Sequence, residues 1–282
     1  MDYYRSTATR LFMGSTAGEP DGIPIVDHDT DNDFLFPKGA GFGHDPDQYV
    51  PDMMAAPLQM QVYSEADWDA LFDEQEEQQS SLEHLYLAAG WENLDQDGDG
   101  YCWTYSTGHA NMLKREAMHL PHVRLNPHSV GAIVKGGRNE GGWCGLSLAK
   151  YREIGCAPEG TGPGQWPLHS RDFRRFNDPA VKAEMMKYRV TDDWYDLGKP
   201  MYSQTLKRDQ LATCLFKNSP SPTDWNPWAH SVCAIRWVRV ERGSWAPLIL
   251  NSWKGWGRRG LAVIRKWAHP DGAVSVVASA AA

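Results

Sequence analysis

The sequence predicts an α+β protein, with its helices first and its strands last. Three observations carry this. Apolar residues recur at helical spacing from Trp68 to Leu215. After Trp225 the period changes to two, in residues rich in β-formers. Within the helical regime a polar, glycine-rich turn delivers one cysteine, Cys102, to the start of a helix. Helical and strand patterns segregated along a chain are the mark of this class.

Taken in order, residues 1–57 are rich in Gly, Pro and Asp and read as an extended arm with one short strand around 22–26. The run from Asp27 to Asp33 alternates carboxylates as calcium loops do. It lacks glycine at the sixth position and has Lys38 at the twelfth, so it reads as a flexible acidic loop. Ser64 followed by Asp67 is a capping pattern, and Trp68, Leu71 and Phe72 then fall on one helical face. One or two helices are expected over 67–89, ending at Gly90. A helix over 101–120 is stopped by Pro121, and 130–134 reads as a short apolar turn of helix. Residues 145–154 form a helix closed by Gly155. Residues 157–170 read as loop, 179–188 and 203–215 as helices, and 231–240, 248–250 and 261–267 as strands. The organisation expected is an acidic arm over 1–63 and a domain over 64–282, with a helical part to about 165 and a β part from about 190.

The length of 282 residues allows one large domain or two lobes, and thirteen tryptophans with 41% hydrophobic residues point to a globular protein. No run of 18 apolar residues exists, which argues against a membrane span. Residues 1–13 lack the basic start and apolar core of a secretory signal. Five cysteines without paired metal spacing read as free thiols. The net charge of −8 divides unevenly: residues 1–95 carry −17 and residues 96–282 carry +9. Either the acidic arm meets the basic body or a partner, or it is a solvated tail. The basic residues are scattered, so solvated faces are expected rather than nucleic-acid binding.

Cys102 is the candidate nucleophile, because a helix N-terminus favours the thiolate. Gln96, six residues earlier, carries an amide able to donate toward an oxyanion, together with the Cys102 backbone N–H. Far downstream come His230, opening a core strand, and Asn251, 21 residues later. A cysteine with a distant His and a distant Asn is a pattern for nucleophilic catalysis. His230 would take the thiol proton and return it to the leaving amine. Asn251 would accept from the His230 ring. His109 lies two turns along the helix from Cys102, about 10 Å away, too far to serve. Asp97 and Asp99 place negative charge near Cys102, which opposes thiolate formation. The same loop, Asp95-Gln96-Asp97-Gly98-Asp99-Gly100, matches half of a calcium loop but has Ser106 where the bidentate glutamate belongs.

Four segments in order resemble the papain-like cysteine peptidases. They are Gln96 through Cys102-Trp103; Glu140-Gly141-Gly142-Trp143 before a helix; His230 in its strand; and Asn251-Ser252-Trp253 followed by Gly255-Trp256-Gly257. The resemblance implies a papain-like two-lobe fold, a helical lobe and an antiparallel sheet or barrel lobe with the site in the cleft between them. It implies catalytic roles for Cys102, His230, Asn251 and Gln96. It also implies a substrate site lined by Gly141, Gly142, Trp143 and Trp253, with Trp253 shielding the His–Asn bond and Cys144 close by. There are departures. Asp99 and Asn139 stand where secreted members carry a disulfide, Tyr101 replaces a small residue, and the loop after Trp253 is one residue shorter. No pro-region motif of the family is recognisable in the helical region over 67–89. The activity implied is peptide-bond hydrolysis by a cysteine-type peptidase, without cofactor or metal, on peptide or protein substrates. Transfer or isopeptide cleavage would use the same residues. The alternative is a papain-fold interaction protein of a viral or cellular assembly, its acidic arm docking to a protein partner and its activity weak or lost. The missing disulfide and signal lead to an expected cytoplasmic or virion-associated location, without membrane or nucleic-acid partners.

Overall fold

The computed structural model describes residues 2–4, 22–27, 43, 61–160, 169–191, 194–198, 208–241, 244–265, 270–276 and 278–281. The acidic run at 28–33 and the loop tip at 161–168 lie outside them, as do 203–207 and 266–267.

Two strands come first, β1 (Asp2–Tyr4) and β2 (Ile23–Asp27). Ser64 then opens the helical part: its N–H and hydroxyl both donate to the Asp67 carboxylate at 2.8 and 2.7 Å. A 3₁₀ turn leads into α1 (Trp68–Gln78), which stops at left-handed Gln79. Ser81 starts α2 (Leu82–Ala89), with His84 standing in for the usual Glu of a capping box. The helical pattern over 67–89 is thus two helices, separated by the residue that adopts positive φ. The Cys102 helix is α3 (Cys102–Ala117). The apolar run at 130–134 belongs to a full helix, α4 (His128–Lys135), after the short strand β3 (Leu125–Asn126). Then come α5 (Cys144–Ile154), β4 (Ala157–Pro158), α6 (Phe173–Phe176), α7 (Pro179–Met186), β5 (Trp194–Gly198) and α8 (Arg208–Phe216). The chain ends in β6 (Ser221–Trp225), β7 (His230–Glu241), β8 (Ser244–Leu250), β9 (Leu261–Arg265) and β10 (Gly272–Val276).

Among the described residues the main sheet has eight strands in the order β1-β2-β9-β8-β7-β6-β10-β5. Every pairing is antiparallel except β2 with β9. The predicted strand near 22–26 is therefore a strand of the domain's own sheet. Asp27 fixes its end with a two-pronged ion pair to Arg265, at 2.6 and 3.2 Å.

Helix α3 is buried over nearly its whole length, although its sequence is not strongly apolar. Its polar groups are spent on distant backbone. Asn111 donates to Tyr188 O at 2.9 Å and accepts from Ser279 Oγ at 2.5 Å; Arg115 donates to Ala280 O at 2.6 Å. Satisfied in this way, buried polar side chains hold the C-terminal strap against the helix rather than destabilising it. His109 accepts from the Leu94 N–H at 3.0 Å, and burial lowers its pKa to about 3. The unfolded chain binds a proton here near pH 6.5 that the folded chain refuses, so stability falls as pH drops from 6.5 toward 3. Urea midpoints measured across that range should decline, and the decline should flatten in His109→Gln.

Helices α1 and α2 are fastened to β7 by a buried charge cluster. Arg236, fully buried, contacts Glu83 at 2.7 Å and Glu76 at 2.6 Å, and lies over the Phe72 ring at 4.5 Å. Beside it Trp68 meets Trp237 and Trp245 edge to face, at 5.5 and 5.7 Å. This packing sets α1 and α2 against β7, the strand that His230 opens.

Candidate active site

Cys102 is the first residue of α3, preceded by Tyr101 outside helical geometry. Its amide is therefore among those lacking a partner within the helix. The side chain is fully buried. Burial pushes the thiol up to about 12; backbone hydrogen bonds from Ser231 and Gly43 act against this, and the Asp224 charge adds to it. Ser231 follows His230, so the sulfur abuts the start of β7. The sequence pointed to Asp97 and Asp99 as the carboxylates opposing ionisation. The structure corrects this: Asp224 of β6 acts on the thiol, while Asp99 turns away to His128.

His230 and Asn251 are brought together at 2.8 Å, Nε2 to Oδ1. The geometry also settles the tautomer. Asn251 Oδ1 accepts the Ser252 N–H at 2.7 Å, which identifies it as the oxygen. His230 Nε2 must then carry the proton, leaving Nδ1 as the basic nitrogen. The Trp253 ring stacks on the imidazole at 4.1 Å and 22°. The Asn251 turn is pinned by a residue the sequence did not single out. Asn93 Nδ2 donates to Asn251 O at 3.0 Å and to Trp253 O at 2.9 Å.

Gln96 is buried and locked from both sides. Ser252 Oγ donates to its Oε1 at 2.5 Å, and its Nε2 donates to Asp99 O at 2.6 Å. Its backbone N–H donates to Ser252 O at 3.0 Å, so the Gln96 turn and the Asn251 turn hold each other. The Gly100 N–H donates to Asn139 Oδ1 at 2.7 Å. The turn is tied to the 139–143 segment without a covalent link, and all five cysteines are free. Asp95 accepts from the Asp97 N–H at 3.1 Å, so the half calcium-loop pattern spends its carboxylates separately.

Gly141 lies half-buried and Gly142 buried, a Cβ on Gly142 falling 2.5 Å from the Trp103 ring. Trp143 precedes α5, and its ring covers Gly145. Cys144 donates to Asp224 Oδ1 at 3.0 Å through sulfur and to Oδ2 at 3.1 Å through its amide. Ser231 Oγ donates to the same carboxylate at 2.5 Å. Asp224 thus caps α5 from the sheet and lies beneath the candidate nucleophile.

Gly43 occupies the same place from the arm. Its carbonyl accepts the Gly142 N–H at 2.6 Å, and its backbone reaches the Cys102 sulfur. A Cβ there would lie 1.8 Å from Gly100 O, so only glycine fits.

This is the papain-like fold. A structure of the mite allergens Blo t 1 and Der p 1 is similar at 15% identity and TM-score 0.59, over 92% of this chain and 86% of that one. Xylellain, a cysteine protease from Xylella fastidiosa, is similar at 14% identity and TM-score 0.57, over 85% and 96%. Digestive procathepsin L 3 of Tenebrio molitor is similar at 14% and 0.56, over 88% and 77%. No protein-family profile matches the sequence, and neither does any curated protein. At these identities the likeness defines the fold; roles must come from the site. No helix among the described residues is long and apolar enough to cross a membrane.

Proposed function

We propose that the chain is a cysteine peptidase that hydrolyses peptide bonds through Cys102, His230, Asn251 and Gln96. The observation that carries this reading is the His230–Asn251 bond under the Trp253 ring, set where Cys102 begins its helix. His230 Nδ1 takes the thiol proton as sulfur attacks the carbonyl carbon. The Cys102 N–H and the Gln96 Nε2 proton not given to Asp99 stabilise the oxyanion. The proton then passes to the leaving amine, and water directed by His230 cleaves the thioester. Gly142 pairs with substrate backbone, as it does with Gly43. Peptides or proteins are the substrate class.

In the state described, Gly43 lies against this site. Cys102 is buried and protonated at neutral pH, and reactivity scales with the fraction of molecules that are open. Deleting residues 1–63 would also remove β2 from the sheet, so a point change is the better test. Gly43→Ala should displace the arm. An epoxide-type thiol probe, with peptide mapping, should then modify Cys102 roughly tenfold faster or more, as a 1.4 kcal/mol loss of occupancy gives. The other four cysteines, all buried, should stay unmodified. Equal or absent labelling of Cys102 in the variant would refute the peptidase reading. The second reading, a papain-fold interaction protein, would then stand, favoured by the Gly43 carbonyl already holding the Gly142 N–H.

A further inference from the structure

His128 is fully buried and lies outside the set of residues assigned above. Its ring joins two groups placed symmetrically about the candidate nucleophile. Nε2 meets Asp99 Oδ2 at 2.9 Å, three residues before Cys102, and Nδ1 meets Tyr105 OH at 2.6 Å, three residues after it. Asp99 lies on the turn that carries Gln96 and Gly100; Tyr105 lies on the first turn of α3. The ring therefore bridges the bend at which loop becomes helix.

We propose that His128 is a positioning residue: a neutral imidazole clasp that holds the Cys102 turn in register with its own helix through Asp99 and Tyr105. The role rests on the reading of Cys102 as nucleophile.

Proton accounting selects the neutral ring. Asp99 is held as a carboxylate and can only accept. Burial alone would raise its pKa, but the His128 hydrogen bond and the Arg171 charge work against that, and it is left lowered. Nε2 must then carry the proton, and Nδ1 must accept from the Tyr105 hydroxyl. Both heteroatoms are satisfied only in this tautomer. Adding a second proton would set Nδ1–H against the buried Tyr105 O–H, whose own ionisation is suppressed by burial. Burial lowers the His128 pKa, with Asp99 opposing and His169 and Arg171 assisting. These groups, with the Tyr101 ring at 5.1 Å and the His169 ring at 5.2 Å, face His128 from the turn, from α3 and from the 169–171 segment. Asp95 and Glu159 stand behind Tyr105. Arg171 approaches Asp99 at 3.6 Å from the exposed side.

The clasp passes its geometry to the site directly. The Asp99 carbonyl receives Gln96 Nε2, and the next amide, Gly100, is bound by Asn139. A shift in Asp99 moves the candidate oxyanion donor and the nucleophile together, and misplacement of about 1 Å costs about 10²-fold in rate.

Two variants, His128→Gln and Tyr105→Phe, test this in the full chain carrying Gly43→Ala. Amide hydrogen exchange of residues 97–103 should quicken about tenfold in His128→Gln, the effect of losing one buried hydrogen bond. The rate of Cys102 labelling should fall by a similar factor. Neutral imidazole makes the clasp, so labelling should weaken as pH falls through the His128 pKa. Tyr105→Phe removes the donor that keeps Nδ1 unprotonated, so this weakening should move to higher pH, and in His128→Gln that limb should vanish. Unchanged exchange in His128→Gln overturns the clasp. Faster exchange with a labelling rate and pH profile equal to the parent overturns the positioning role. A protected turn in a parent that never labels counts against the peptidase reading and leaves the clasp standing.

Discussion

Hydrolysis of a fluorogenic peptide should fall by about 10³-fold or more when His230 is replaced by alanine. The size of the effect follows from the number of jobs the ring performs. On the proposed mechanism its Nδ1 takes the thiol proton, and the same nitrogen returns a proton to the leaving amine. The thiol it serves has been pushed up to about 12 by burial, so without a base almost no thiolate forms at neutral pH. Asn251 and Trp253 act through the ring by holding it at 2.8 Å and 4.1 Å. Asn251→Ala should therefore cost less, about 10- to 100-fold, as loss of an orienting partner does. The comparison is made in the Gly43→Ala chain, so that cleft occupancy does not mask the difference. Thermal melts of each variant separate lost chemistry from lost fold. Retained hydrolysis in His230→Ala would exclude it as the base.

Arg236→Leu should destabilise the protein by about 3–5 kcal/mol, the cost of stranding the partners of a buried ion pair. Glu83 is fully buried, and Glu76 is nearly so. Glu83 would face an apolar side chain with no route to water, while Glu76, 13% exposed, would keep His84 at 3.4 Å. The melting temperature should drop by roughly ten degrees, and the loss should be visible as a lower urea midpoint. Replacing Glu83 by Leu and Glu76 by Gln as well should recover part of it, because the stranded charges go too. By contrast, Arg239, whose partners Asp69 and Asp73 are exposed, should tolerate alanine with little change. An Arg236→Leu protein as stable as the parent would mean that α1 and α2 are held by their aromatic contacts alone.

Apart from the four-residue α6, the helices and the β7 to β9 strands were legible because each carries its own period. The end of α5 was legible because Gly155 stops it. The strand β6 was not, since Pro222 within Ser221–Trp225 argues against a strand. The structure accommodates it because the ladder to β10 covers only Thr223 and Asp224, so no donor is demanded of Pro222 on that side. In β10 the alternation of Val274 and Val276 is a signal, but a five-residue run gives it little weight. The spacing of Gln96, Cys102, His230 and Asn251 marked the candidate site, and the fold brings Cys102 to β7, Asn251 to His230 and Gln96 to Ser252. His128, Asp224 and Asn93 stayed hidden. Their roles come from contacts with residues 29, 80 and 158 positions away, for which no local pattern exists.

On the peptidase reading, the pairing of β2 with β9, fastened by Asp27 and Arg265, changes how the cleft would answer to outside peptides. Only 15 residues separate Asp27 from Gly43 in the sequence. A segment tethered at such short range presents itself to its site at an effective concentration on the order of millimolar. A free peptide must outcompete that local supply, however dilute the protein is. Dilution leaves the occupancy unchanged, because both partners belong to one molecule. Cutting the chain once between Asp27 and Gly43 would leave Gly43 joined to the domain through residue 61, so its occupancy would still not depend on dilution.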